Sequence, residues 1–374
     1  MTRTTSALGL FSPTRWLSAL ALISAILACT PGQLQAATPN KPIEVRVVIV
    51  TTWEVVKDGK DISGELHNWL TKWPLQQQIA FPVGEHALQY DPKCHVLAIM
   101  TGMATARASA SIMALGSDPR FDLSHAYWIV TGTAGVNPKV ASVGSAAWAR
   151  WVVDGDLTQE LDARDMPADW STGILPYGKA TPYAQPAPMA HTDDANVAYG
   201  MNPSLVDWAY GQTRDLKLGD DQNLSTLRTP YAGPAQLPPF VLEGDGLMSA
   251  RTWYGESMED WAERWVPYWT GGKGVFVMSA EEDTGIMQAL TSLARGKRVR
   301  LDRVLILRSA SDYTVPPPGM TAADFLSKEV QSGFPATPEA LDSLYTVASP
   351  IARFLADNWA TTRDMTPGSA GANP

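Results

Sequence analysis

Apolar runs rich in β-branched residues recur along this chain, and most of them stop at a glycine, a Thr-Gly pair or a Ser-Asp pair. The first covers Ile43 to Val50, between Pro42 and Thr51. The second, His95 to Met100, ends at Thr101 and Gly102. Ala126 to Val130 is closed by Thr131 to Gly135, Gly274 to Met278 leads into two adjacent carboxylates, and a run from Val304 stops at Ser311 and Asp312. Ala104 to Leu115 carries small and apolar residues at helical spacing and stops before Gly116 and Pro119. Strand, glycine turn, helix and strand in this order predict an α/β fold with a mostly parallel central sheet. Gly144 to Val153 reads as one long strand running into Asp154, Pro239 to Leu242 as a short one, Ser257 to Trp269 as a helix, and Pro350 to Trp359 as the last helix.

Residues 157–238 break the rhythm. Proline and alanine dominate Tyr177 to Pro188, and proline returns from Ala232 to Pro239, so this stretch reads as a large irregular insertion with one short helix near Pro203 to Thr213. Residues 361–374, rich in Gly, Ser and Pro, read as a disordered tail. The beginning reads as an export signal over residues 1–36. Arg3 and Arg15 stand without acidic neighbours, Trp16 to Cys29 is an unbroken apolar and small-residue run, and Ala36 and Ala37 suit cleavage. The apolar run is shorter than the roughly 20 residues a membrane span requires. Ile26 to Cys29 also has the look of a lipobox, which offers Cys29 as a lipid anchor. The expected location is therefore periplasmic or secreted, with residues 43–360 forming one domain.

Charge narrows the partners. The formal net charge is -9, and removing Arg3 and Arg15 with the signal makes it about -11. Such a protein is poorly matched to nucleic acid or an anionic membrane surface. No other segment has the length of a transmembrane span. With two cysteines, one of them in the predicted signal, an internal disulfide or a cysteine zinc site is not expected. The five histidines, at 67, 86, 95, 125 and 191, show no metal-ligand spacing.

The chemistry gathers around acids. In an open parallel sheet, ligands collect at the carboxyl ends of strands. Glu281 and Glu282 begin a helix-like run, and Asp312 follows Ser311 at the end of a strand. Together they predict a pocket that grips hydroxyls and supplies a proton, as a sugar-base compound requires. The plainer roles are an Asp that caps a turn and glutamates that complement a helix dipole. Trp261, Trp265 and Trp269, four residues apart, are expected in the core.

Three blocks carry a family likeness. Ile129 to Pro138, with Val143 to Ser145 and Asp154 to Asp156 beyond, resembles the core of nucleoside phosphorylases and methylthioadenosine nucleosidases. Gly244 to Met248 resembles their base-contacting strand end, and the Glu281-Glu282 and Ser311-Asp312 pairs resemble their ribose and purine blocks. Over nearly all of the chain beyond the predicted signal, the sequence is similar to the purine nucleoside permease family. The resemblance implies a three-layer nucleoside phosphorylase-like fold with a central mixed, mostly parallel sheet, and a purine nucleoside as ligand. It implies Asp312 as the proton donor to the base and Glu282, with Glu281 less well aligned, as acceptor of ribose hydroxyls. Leu247 and Met248 would line the base pocket, and Thr133, Ala134, Gly135 and Ser311 would border the sugar.

Three functions stay open at this point. Phosphorolysis would need phosphate as co-substrate, but Val130 stands where the hexameric phosphorylases carry an arginine. Backbone donors near Gly102, with Arg107, are what this chain offers instead. Hydrolysis would need a base for water. The nucleosidase glutamate falls on Val56 by direct spacing, with Glu54 two residues earlier as the candidate. Binding without chemistry, in nucleoside uptake, is the third. No cofactor is expected. Related enzymes complete their sites from neighbouring subunits, so a homo-oligomer fits the resemblance.

Overall fold

The computed structural model describes residues 41–369, apart from 58–59, 63, 186, 188–190 and 193–194. The predicted signal and Cys29 lie outside the described residues. Those described belong to one compact unit, Lys41–Pro374.

Its frame is a 12-stranded mixed sheet. Val47–Thr51, buried at every residue, is flanked in parallel by Val96–Met100 and by the start of Tyr127–Val136. The Tyr127–Val136 strand has a second parallel neighbour, Val304–Tyr313. Its last residues turn onto Phe276–Ala280, antiparallel. Val304–Tyr313 pairs antiparallel with Ala146–Trp148 on its other side. Phe276–Ala280, Asp245–Met248 and Trp151–Asp154 continue the sheet in parallel. Val304–Tyr313 is thus an interior strand, and all ten residues are buried.

Several expectations need correction. Thr131 to Gly135 is not a turn: the strand runs through it to Val136. Gly132 is required by a side chain instead, because a Cβ there would lie 2.2 Å from Arg308 Nη1. The long strand expected over Gly144 to Val153 is two strands. They break at Arg150, where the Asp245 carboxylate accepts from the N–H of Arg150 and of Trp151. The helix expected from Pro350 begins much earlier: it is Thr337–Asp357 with Pro350 inside it, and a short helix at Trp359–Thr362 follows. A buried stripe of Leu344, Val347, Ala348, Ile351 and Leu355 carries the helix past the proline. A helix at Ala322–Ser332 escaped the reading, although Thr321 caps it through the Asp324 N–H.

Residues 157–238 are more regular than expected. Thr158–Glu160 and Ile174–Pro176 form a small antiparallel pair, Ala198–Gly200 adds an edge strand to Trp151–Asp154, and Gln222–Arg228 is helical beside the predicted Pro203–Thr213 helix. Residues 361–369 pack onto the body rather than trailing from it. Tyr127 Oη and Arg303 Nη2 donate to the carbonyls of Thr362 and Arg363.

Apolar burial holds the frame together. The Glu256–Thr270 helix buries Trp261, Trp265 and Trp269 in a cluster with Trp253 and Phe276. Two other helices, Ala104–Ser117 and Asp283–Arg295, cross where glycine admits close approach. A Cβ on Gly285 would stand 2.3 Å from the Thr105 carbonyl oxygen. This crossing sets the starts of both helices beside the carboxyl ends of the central strands.

Candidate functional site

The crossing borders a cavity of about 340 Å³, within the range of small-molecule sites. Its wall includes Thr133, Ala134 and Gly135 from one central strand and Arg308, Ser311 and Asp312 from the next. The two strands are in register from Val304 opposite Trp128 onward, but the register shifts between Ala310 and Asp312. Such a bulge re-aims side chains, and here the consecutive Ser311 and Asp312 both reach the cavity.

Asp312 sits in this wall as an acid with no cation paired to it among the described residues. Tyr254 Oη donates to its Oδ2 at 2.9 Å and Ser311 Oγ to its Oδ1 at 2.9 Å. Burial pushes its carboxyl above the ordinary carboxylate range, and Glu281 adds to the rise, while the Tyr254 and Ser311 bonds oppose it. A carboxyl so placed holds its proton closer to neutral pH than a solvated one would.

Four residues back along the strand, about 13 Å at the usual rise, Arg308 anchors the polar end. Its Nη2 donates to Glu282 Oε2 at 2.9 Å and to Asp283 Oδ1 at 2.5 Å, its Nε to Asp283 Oδ2 and its Nη1 to the Thr133 carbonyl. Burial lowers the Arg308 value, but Asp283 and Glu282 outweigh it and keep the guanidinium charged. Glu282 Oε1 accepts from the Ala104 N–H at 3.1 Å, so both oxygens are fixed. Burial pushes Glu282 up against the pull of Arg308.

A further acid, Glu65, completes this cluster. Its Oε2 accepts from the N–H and Oγ1 of Thr52 at 2.6 and 2.9 Å, and its Oε1 from the Thr133 N–H at 2.7 Å. Burial pushes it up to about 7, with Glu282 adding and Arg308 opposing. It lies directly behind Thr52 and Thr133, which line the cavity.

The structure therefore brings together Asp312, Glu282, Glu281, Thr133, Ala134, Gly135 and Ser311. It sets others apart. Leu247 and Met248 are fully buried strand residues outside the cavity wall, and the segment Arg251 to Tyr254 just beyond them lines it instead. Glu54 accepts from the N–H of Gly64 and of Leu66, closing a turn rather than facing the cavity. Gly102 turns the chain with a positive φ of 84°, and its neighbour Met103 is the lining residue. Arg107 pairs at the surface with Glu85 at 3.7 Å.

Glu65, Arg308 and Tyr254 were not singled out in the sequence. A lone arginine inside an apolar strand run was the available signal for Arg308, since a buried guanidinium needs acids around it. No group of three or more metal-ligating side chains is arranged around a common point among the described residues. No described helix is long and apolar enough to cross a membrane.

A family model described as purine nucleoside permease (NUP) matches residues 44–366. A probable purine nucleoside permease of Schizosaccharomyces pombe is 26% identical over 357 residues, covering 92% of this chain and 98% of that one. A purine nucleoside permease of Candida albicans is 28% identical over 306 residues, 79% of this chain and 73% of its own length. Among solved structures, a 5'-methylthioadenosine/S-adenosylhomocysteine nucleosidase from S. pneumoniae, with a transition-state inhibitor, gives a TM-score of 0.48 at 14% identity, covering 83% of this chain and 99% of that one. A futalosine hydrolase of Helicobacter pylori gives 0.48 at 10% identity, covering 82% and 98%.

Proposed function

Since the chain belongs to the purine nucleoside permease family, we propose that its cavity binds a purine nucleoside and cleaves the N-glycosidic bond, by hydrolysis rather than phosphorolysis. The observation that carries this reading is the placement of Asp312, a buried carboxyl raised toward neutral pH, at one end of a cavity whose other end is the Glu282–Arg308 pair. Breaking the bond leaves negative charge on the departing base and cationic character on the sugar. Fixed groups aimed at those charges lower the barrier. A protonated Asp312 hydrogen-bonds a purine ring nitrogen and neutralises the base as it leaves. Glu282, oriented by Arg308 and the Ala104 N–H, accepts hydrogen bonds from the ribose hydroxyls and steadies the developing positive charge.

Hydrolysis is favoured because phosphate finds few free donors. The Arg308 N–H groups are engaged by Glu282, Asp283 and the Thr133 carbonyl. Arg251, at the cavity rim, pairs with Glu160 at 3.2 Å. Glu65, poised near 7 behind the cavity wall, is the candidate to take a proton from water through the hydroxyl of Thr52, which lines the cavity and donates to Glu65 at 2.9 Å, the role expected of Glu54. Binding alone, in nucleoside uptake, is the second reading, favoured by the permease names of the relatives. Cleavage outside the cytoplasm would join the two, because free base released there is available for import.

The test is to incubate the purified protein with adenosine, inosine and guanosine, with and without phosphate, and to follow free base by chromatography. Base release without phosphate is the expected result. Release that depends on phosphate would overturn the hydrolytic reading, and tight binding without release would establish the binding role.

A further inference from the structure

The Asp312 carboxyl borders two cavities. Beyond the central one lies a chamber of about 80 Å³, walled in part by Ser311, Asp312, Tyr231, Phe325, Lys328 and Glu329. That is room for a few waters, and its polar groups give them partners. The Ala322–Ser332 helix serves both sides of the acid. Phe325 packs edge-on against Tyr254 at 5.6 Å, the phenol that donates to Asp312. One turn later on the same face comes Glu329, 5% exposed, whose carbonyl caps the helix end and whose carboxylate has no hydrogen-bond or ion-pair partner among the described residues.

The groups around Glu329 leave it one acidic counterpart. Tyr231 and Tyr313 direct their hydroxyls away, to the carbonyls of Val315 and Ala235. Tyr254 is engaged by Asp312, and Lys328, next in the chain, is exposed. Burial pushes Glu329 up to about 7, the Asp312 charge adds to the rise, and Lys328 opposes it. Two carboxyls across one small chamber cannot both ionise at low cost, so they favour sharing a proton.

We propose that Glu329 is a positioning residue for Asp312: it shares a proton with that acid through water in the chamber and returns one after each turnover. The inference rests on the cleavage reading above. As the carbon–nitrogen bond breaks, its electron pair stays with the base and Asp312 transfers its proton to a ring nitrogen, becoming a carboxylate. Both acids are then ionised, so Glu329 takes a proton from solvent past Lys328 and chamber water passes it on to Asp312, which restores the shared state. The proton lost by the attacking water leaves by the Glu65 side, so the cycle balances.

The test compares the wild type with Glu329→Gln and Glu329→Asp. Infrared titration of the buried carboxyls comes first, because it needs no turnover. In the difference between the wild-type and Glu329→Gln titrations, which cancels the other raised carboxyls Glu65 and Glu259, two coupled steps are expected to give way to one Asp312 step at lower pH by about one unit, since a negative neighbour has been removed. An Asp312 step unmoved in Glu329→Gln would overturn the proposal whether or not the protein cleaves nucleosides. In turnover, the alkaline limb of kcat should move to lower pH by the same unit, an about tenfold loss on that limb, with KM unchanged and partial recovery in Glu329→Asp. A uniform loss at every pH would mean a structural role and would also overturn it. Should Glu329→Gln not fold, Leu227, which also lines the chamber, gives a second variant: Leu227→Trp fills the chamber, leaves both acids in place, and is expected to slow kcat and uncouple the two steps; coupling that survives the filled chamber would sink the idea. Absence of base release by the wild type would count against the cleavage reading and the return step, while the titration would still read the shared proton.

Discussion

Asp312 and Gly132 are the two residues on which the site depends most directly. Replacing Asp312 by Asn keeps the shape of the side chain and one of the two oxygens that accept from Tyr254 and Ser311, turns the other into a donor, and removes the acid. Base release should fall by a factor of about 100 or more while nucleoside binding survives; calorimetric binding beside the release assay checks both, and unchanged turnover would remove Asp312 from the chemistry. Gly132→Ala acts through Arg308. A new Cβ 2.2 Å from Nη1 displaces the guanidinium and leaves Glu282 and Asp283 buried without their cation. Breaking a buried pair costs about 3–5 kcal/mol, so denaturant melts should show a loss of that order together with loss of binding. Asp312 and Glu282 could be found in the sequence because each stands next to a strand end, where topology alone brings side chains together. Glu65 could not. It reaches Thr52 and Thr133 from a turn after Ile62, and nothing in local spacing reports where such a turn returns. Leu247 and Met248 show the opposite failure: the strand end was located, but its side chains turn into the core and the next few residues form the wall.

Among the elements, the crossing of Ala104–Ser117 with Asp283–Arg295 links packing to chemistry. Ala104 supplies the N–H that fixes Glu282, and Thr105 Oγ1 donates to the Glu281 carbonyl at 2.9 Å. Gly285→Ala would push the helices apart at this point, against the backbone of Thr105. Helix propensity alone would favour alanine by about 1 kcal/mol, yet the contact reverses the sign. A lower melting temperature with a raised KM for nucleoside is the expected outcome, and a more stable variant with unchanged KM would contradict the role given to the crossing. The strands and most helices were readable because burial writes them as apolar runs of the right period. Boundaries failed where side chains or tertiary contacts override local signals: Gly132 and Gly135 stay in a strand because neighbouring strands pair with it to its end, with Arg308 filling the space a Cβ at Gly132 would take, and Pro350 sits inside a helix whose buried stripe continues past it.

For the whole molecule, buried carboxyls set the response to pH. Glu65, Glu259 and Glu329 are each raised, first by burial, from 4.5 to about 7. In the unfolded chain they ionise near 4.5, so between 4.5 and about 7 the folded state keeps protons that the unfolded state gives up. Stability is then fully present below the lower value and is lost as pH rises through the higher one. Calorimetric melting temperatures should fall across this window, and Glu259→Gln should flatten the slope; a melting temperature that climbs with pH there would contradict the assignment.

The strand bearing Arg308 and Asp312 is among the last to leave the ribosome, yet its place is between Tyr127–Val136 and Ala146–Trp148. Until synthesis passes Tyr313, those two earlier strands present unpaired backbone edges to each other and to other chains, a template for wrong pairing. Closing the gap requires contacts across nearly half the sequence, which makes completion slow relative to local folding. A nascent or truncated chain ending before that strand therefore has neither the guanidinium nor the acid, and it carries the open edges that invite aggregation.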